Sequence, residues 1–124
     1  MELSLPQSYI LYLLGLVFDE FDKQHSGKLL QLALTKSDFI KIAKRAQAVT
    51  KQERAMYKNL EWLENEKYVS YDNEVLHLTA KGEKEFQSMV KQVSPYVRLT
   101  LTISSENLLA YAKKAQTQFT AQKL

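Results

Sequence analysis

A chain of 124 residues is long enough for one domain with a substantial core, and 45% apolar content with three glycines and two prolines excludes a disordered or fibrous protein. The absence of cysteine excludes disulfides, thiolate metal sites and cysteine nucleophiles. The net charge of +3 is small but unevenly spread: residues 1–35 carry −2, 36–58 carry +5, 59–86 carry −4 and 87–124 carry +4. Clustering of this kind creates a local field that the total conceals.

Pro6 suits a first helical turn, and apolar residues follow from Tyr9 to Phe21 on almost every side. A helix to about Asp22 without a polar face is buried on more than one side, and the second side is expected to meet another subunit. The same stretch ends in Asp19-Glu20 and lacks the basic start and small-residue cleavage site of a signal peptide. It is also too short to span a bilayer, so a core helix of a cytoplasmic protein with no membrane partner is expected. His25-Ser26-Gly27 reads as a turn, Leu29–Leu34 as a short apolar run suited to a small strand, and Thr35-Lys36-Ser37-Asp38 as a second helix start. That helix, to about Gln47, places Phe39, Ile42, Ala43 and Ala46 on one side and Lys41, Lys44 and Arg45 on the other. Ala48-Val49 supplies a tight turn before the next helix.

Thr50-Lys51-Gln52-Glu53 has the form of a capping box, in which the Thr hydroxyl and the Glu carboxylate satisfy free amides at a helix start. At 100° per residue the helix of about 51–66 gathers Met56, Leu60 and Leu63 on one face and Lys51, Arg54 and Lys58 on the opposite one. Tyr68–Tyr71 and Glu74–Leu78 alternate as a hairpin with Asn73 at its tip. A fourth helix, from about Ala80 to Val93, buries Phe86, Met89, Val90 and Val93. Helix, small hairpin and helix in this order outline a winged helix-turn-helix.

Ser94-Pro95 reads as a boundary between a domain of residues 1–94 and an extension of residues 95–124. In the extension Val97, Leu99, Leu101 and Ile103 alternate with Arg98, Thr100 and Thr102, the period of a half-buried strand. Its amides need a partner in the hairpin, the Leu29–Leu34 run or a second chain. Ser104-Ser105 opens a last helix striped by Leu108, Tyr111, Ala112, Ala115 and Phe119, and the extension is expected to serve dimerisation. The expected fold is α+β and mostly helical, a winged helix-turn-helix with a C-terminal strand–helix extension.

At Tyr57, Leu60, Leu63-Glu64, Tyr68-Val69 and Leu78-Thr79-Ala80-Lys81-Gly82 the sequence resembles winged-helix transcription regulators of the MarR and PadR kind. The likeness covers roughly residues 6–93 and is strongest over 57–86. It implies a DNA-binding homodimer with the third helix in the major groove and the hairpin, or wing, beside the backbone or minor groove. Two features depart from that pattern. The wing tip is Asp72-Asn73-Glu74, where such a regulator carries Arg or Lys, and phosphate repels it. The third helix also turns acidic at Glu61, Glu64 and Glu66, so only its first two turns suit DNA.

On those turns Gln52 and Arg54 can grip base edges bidentately, and Lys51 and Lys58 can neutralise phosphate, as can Lys36, Lys41, Lys44 and Arg45. The plain counterpart is that surface helices carry such residues for solubility. Trp62 and Tyr57 read as peripheral core residues rather than interface anchors. His25 and His77 lack ligand spacing, so no metal or other cofactor is expected. Asp19, Glu20 and Asp22 read as a solvated helix end, and no G-x-S-x-G nucleophile elbow exists, so no enzyme is expected. The expected function is binding of double-stranded DNA by a small homodimeric transcription regulator. The alternatives are a winged-helix protein–protein interaction module of a larger assembly, and structured RNA or non-specific nucleic-acid binding.

Overall fold

The computed structural model describes residues 3–27, 31–46, 53–106 and 108–112. Helix α1 (Leu5–Gln24) opens with a reciprocal cap: the Gln7 amide donates to Ser4 Oγ at 3.3 Å, and the Ser4 amide donates to Gln7 Oε1 at 2.8 Å. Ile10, Leu11, Leu14 and Gly15 are its buried positions. The outward side is apolar too, with Leu5 65%, Tyr9 53% and Leu16 40% exposed. Helix α2 (Lys36–Arg45) is capped by Thr35, whose hydroxyl accepts from the Asp38 amide at 3.0 Å. It buries Phe39, Ile40 and Ala43. Ile42 is only half-buried and Ala46 exposed, unlike the expected set, because the core lies between Phe39 and Ile40 and these two sit on its flank.

Helix α3 (Glu53–Asn65) buries Met56, Leu60 and Leu63 as expected and packs most extensively on α1. The expected Ala48-Val49 turn and the Thr50 end of the capping box lie outside the described residues. At the other end Lys67 takes a left-handed conformation, φ 69°. The Lys67 amide donates to the Glu64 carbonyl at 3.1 Å and the Tyr68 amide to the Leu63 carbonyl at 2.9 Å, a double closure of the last turn. That reversal leads into strand β1 (Val69–Ser70), which pairs antiparallel with β2 (His77–Leu78) through Val69–Leu78 and Ser70–His77.

The strands are shorter than the expected runs. Asp72–Glu74 forms a 3-10 turn in which Asn73 (φ 57°) and Glu74 (φ 60°) are left-handed, and this uses up residues a longer ladder would need. Residues 31–35 form no strand, and Leu29 and Leu30 lie outside the described residues. The Leu76 amide nevertheless donates to the Leu34 carbonyl at 2.7 Å, tying this run to the hairpin.

Thr79 joins hairpin to helix α4 (Ala80–Ser105). Its amide donates to the Tyr68 carbonyl at 3.1 Å, its hydroxyl reaches the carbonyls of Lys67 and Tyr68, and the same oxygen accepts from the Gly82 amide at 3.0 Å. A Cβ at Gly82 would fall on the Tyr68 carbonyl, so only glycine admits this approach. A Cβ at Gly15 would likewise fall on the ring of Phe86, which is fully buried and lies 5.7 Å from the Tyr12 ring between centroids.

The expected strand at 97–103 is helix instead, and α4 continues through Ser94-Pro95. An alternating strand needs a ladder, whereas a helix satisfies its own amides. The hydroxyls that suggested a strand face turn back on the preceding turn: Thr100 Oγ1 donates to the Tyr96 carbonyl at 2.9 Å and Ser104 Oγ to the Thr100 carbonyl at 2.8 Å. Pro95 removes one amide, a loss confined to one helical bond. A 3-10 turn, Leu108–Tyr111, stands where the last helix was expected, while Ala115 and Phe119 lie outside the described residues. The fold is thus mostly helical with one small antiparallel sheet.

Two compact units divide the chain, Met1–Val90 and Lys91–Leu124. The first holds the hydrophobic core, in which buried residues of α1, α2, α3 and the hairpin meet, with Trp62, Tyr71 and Met89 packed on its margin. In the second, Tyr96, Leu99, Leu101 and Ile103 are exposed.

Gly82→Ala should lower unfolding stability by about 2 kcal/mol or more, since the methyl meets backbone that cannot rotate away. Lys67→Gly should raise it by about 0.5–1 kcal/mol by relieving a left-handed lysine. Urea unfolding of the two variants checks both.

Candidate nucleic-acid interface

The cations of α2 and α3 fall into two groups. Lys36 is engaged: its Nζ lies 2.9 Å from Glu64 Oε1 and 4.5 Å from the Tyr71 ring centroid, and its backbone amide donates to the Tyr71 hydroxyl at 3.3 Å. This partly buried lysine clamps the start of α2 to α3 and the hairpin. Lys44 Nζ lies 2.9 Å from Glu53 Oε1, joining the end of α2 to the start of α3, but both side chains are more than half exposed. An exposed pair contributes about 0–1 kcal/mol and yields readily to a competing anion.

The second group is free. Lys41, Arg45, Arg54 and Lys58 are exposed and enter no ion pair among the described residues. Arg54 and Lys58 lie one helical turn apart on the side of α3 opposite Met56, Leu60 and Leu63, which are each no more than 1% exposed. Lys51 and Gln52 lie outside the described residues. Tyr57, expected at the edge of the core, is instead 40% exposed beside Lys58. Such an aromatic can stack on a sugar or base as readily as on protein.

Acidic residues bound this surface. Glu61 is exposed one turn beyond Tyr57, and Glu64 is held by Lys36. Asp72, Asn73 and Glu74 at the hairpin tip are all exposed. Behind them Lys81 sits 4.3 Å from the Tyr68 ring centroid and donates to the Glu66 carbonyl at 2.8 Å, where a cation favours the C-terminal end of α3. Tyr68 in turn stacks on half-buried Trp62, their ring centroids 6.2 Å apart and planes 19° apart, so Trp62 belongs to the core margin.

Neither histidine joins this surface. His77 is exposed on β2, and the His25 ring stacks on Phe21 with Nδ1 2.9 Å from the Phe21 carbonyl. Among the described residues no three metal-ligating side chains converge. No described helix is long and apolar enough to cross a membrane.

The side of α1 expected to meet another subunit stands open in the single chain. Leu5, Tyr9 and Leu16 lie on the outward side of α1, where two shallow hollows meet at Leu16. One, of about 300 Å³, is lined by Tyr9, Tyr12, Leu13 and Ala46 as well as Leu16. The other, of about 380 Å³, runs on past Val17 and Ile42 to Glu20. The signal in the chain was the all-round apolar pattern of this helix.

Beside it, burial raises the Asp19 carboxyl above its ordinary value of 3.8, with Glu83 and Asp22 adding to the rise and Lys23 opposing it. A raised carboxyl favours the folded state fully at pH below its unfolded value, and that benefit is lost as pH climbs through the folded one. Asp19→Asn should therefore melt higher than the parent protein at neutral pH, with the difference closing on acidification; thermal melts from about pH 7 to about pH 3 test this. No known family model, curated protein or solved structure matches the chain.

Proposed function

We propose that the protein is a winged helix-turn-helix transcription regulator that binds double-stranded DNA as a homodimer, with the first two turns of α3 in the major groove. One observation carries the reading: Arg54 and Lys58 stand exposed, and without an ion pair among the described residues, on the side of α3 opposite its buried Met56–Leu60–Leu63 face. A helix docked in a groove needs such a division, with one side held by the domain and the other free for phosphate and base edges. The order α2, α3, hairpin, α4 and the Leu34–Leu76 backbone bond support the winged frame.

Within that reading Arg54 reads base edges with Gln52, and Lys51 and Lys58 contact phosphate. Lys41 and Lys44 flank them on α2, Lys44 exchanging Glu53 for a phosphate oxygen. Lys36 is withdrawn from the contact set, because Glu64 and Tyr71 already claim its ammonium. The acidic tip at Asp72 and Glu74 stays out of the minor groove, so the hairpin braces α3 rather than gripping DNA. Function is then occupancy of an operator in the cytoplasm, with no chemistry and no cofactor.

The competing reading is a protein–protein interaction module. It rests on that same exposed acidic tip, which would attract a basic partner. Residues 97–103, expected as a strand, are helical and offer it no unpaired edge to pair with a partner's strand.

Duplex DNA titrated at two salt concentrations decides between them. The proposal expects affinity to fall steeply with salt, and Arg54→Glu with Lys58→Glu to weaken binding about a hundredfold or more while the circular dichroism spectrum is unchanged. Binding that is absent, or untouched by the double reversal, would contradict it.

A further inference from the structure

We infer that a second copy of this chain docks on the outward face of α1, antiparallel and about a two-fold axis between Leu13 and Leu16. The inference builds on the dimer in the reading above and is independent of DNA binding.

The face is apolar from Leu5 through Tyr9 to Leu16, and α1 carries no charge before Asp19. A soluble helix normally spends its outward side on polar residues. Here Leu5, Tyr9 and Leu16 stay exposed although α1 already buries Ile10, Leu11 and Leu14. Twenty helical residues span about 30 Å. The Ile42–Ala46 rim of α2 borders the strip along the two hollows that meet at Leu16.

Charge identifies the occupant. One end of the strip is acidic, with Glu20 lining the hollow and Asp19 and Asp22 beside it. The other end is bounded by Ala46, which follows Lys44 and Arg45 in the last turn of α2. Acidic residues at a helix C-terminus oppose the helix dipole, and within α1 Glu20 accepts only an exposed bond from Gln24 Nε2 at 3.2 Å among the described residues. An antiparallel copy aligns Leu13 with Leu16 of the second chain and sets its Glu20 over the Tyr9–Ala46 end, within reach of Arg45. The two-fold axis repeats the same pairing on the other side. Arg45 then serves the dimer, leaving phosphate to Lys41 and Lys44.

The exposed apolar residues of Lys91–Ser105 do not offer this match. Its charged residues are Lys91 and Arg98, with Glu106 just beyond, and the two hollows that meet at Leu16 lie on α1 instead.

The test is sedimentation equilibrium of the full chain. The parent protein should be a dimer at micromolar concentration, and Leu16→Glu should raise the dissociation constant about a hundredfold. Leu99→Glu, on the other exposed surface, should leave the dimer intact. Glu20→Arg and Arg45→Glu should each weaken the dimer, and the two together should restore it. A monomeric parent protein, a dimer indifferent to Leu16→Glu, dissociation by Leu99→Glu, or a double swap without rescue would each overturn the inference. Because Glu20 and Arg45 are exposed, the swap decides the matter even if Leu16→Glu fails to fold. Loss of DNA binding alone, with the dimer and its swap behaviour intact, would refute the DNA reading and leave this one standing.

Discussion

The arrangement of α3, the hairpin and α4 hangs on the close meeting of Thr79 and Gly82 with the Tyr68 carbonyl. A single threonine closes the hairpin through its amide, reaches the end of α3 through its hydroxyl and caps α4 with the same oxygen. Gly82 is required because a side chain there would occupy the place of that carbonyl. The two-stranded ladder is far too short to be stable alone, so its position derives from this junction and from the Leu34–Leu76 bond. Lys67, strained in a left-handed turn, is the local cost of reversing the chain so abruptly.

A fixed junction gives α3 a fixed orientation, and orientation is what a groove-reading helix needs. Met56, Leu60 and Leu63 lock its inner side, while the Lys36–Glu64 pair holds its far end to α2. Its N-terminal turns are left with Arg54, Tyr57 and Lys58 in solvent. Glu53 on the same turns is paired with Lys44, and other acid residues lie on later turns of the helix, at the hairpin tip and at the end of α1. The segment totals thus resolve into separate surfaces, each suited to a different partner. The exposed cations Lys41, Arg45, Arg54 and Lys58 gather on α2 and α3, and the acidic end of α1 borders an apolar strip.

Much of this was legible in the chain because it depended on local signals. Thr35 with Asp38, Pro6 and the 3.6-residue spacing of Met56, Leu60 and Leu63 each mark an element whose boundary or face is set within a few residues. The Leu78-Thr79-Ala80-Lys81-Gly82 step was visible as a pattern, although the carbonyl that makes the glycine necessary lies fourteen residues upstream. The reading failed where local chemistry was ambiguous. Val97, Thr100, Thr102 and Ile103 suit a strand by type and alternation, and Pro95 suggested a break, yet the helix runs on with hydroxyls folded onto its own carbonyls. The engagement of Lys36 was also hidden, since its partners Glu64 and Tyr71 are brought near only by the folded hairpin. Lysine at a helix start looks the same whether it faces phosphate or a carboxylate.

The central claim is that the Arg54 side of α3 is a surface for duplex DNA, and amide chemical shifts of the labelled protein on adding a duplex test it most directly. The account predicts that perturbed amides cluster over Glu53–Leu60 and around Lys41 and Lys44. Shifts confined to Asp72–Glu74 or to α4, or no shifts at all, would contradict it.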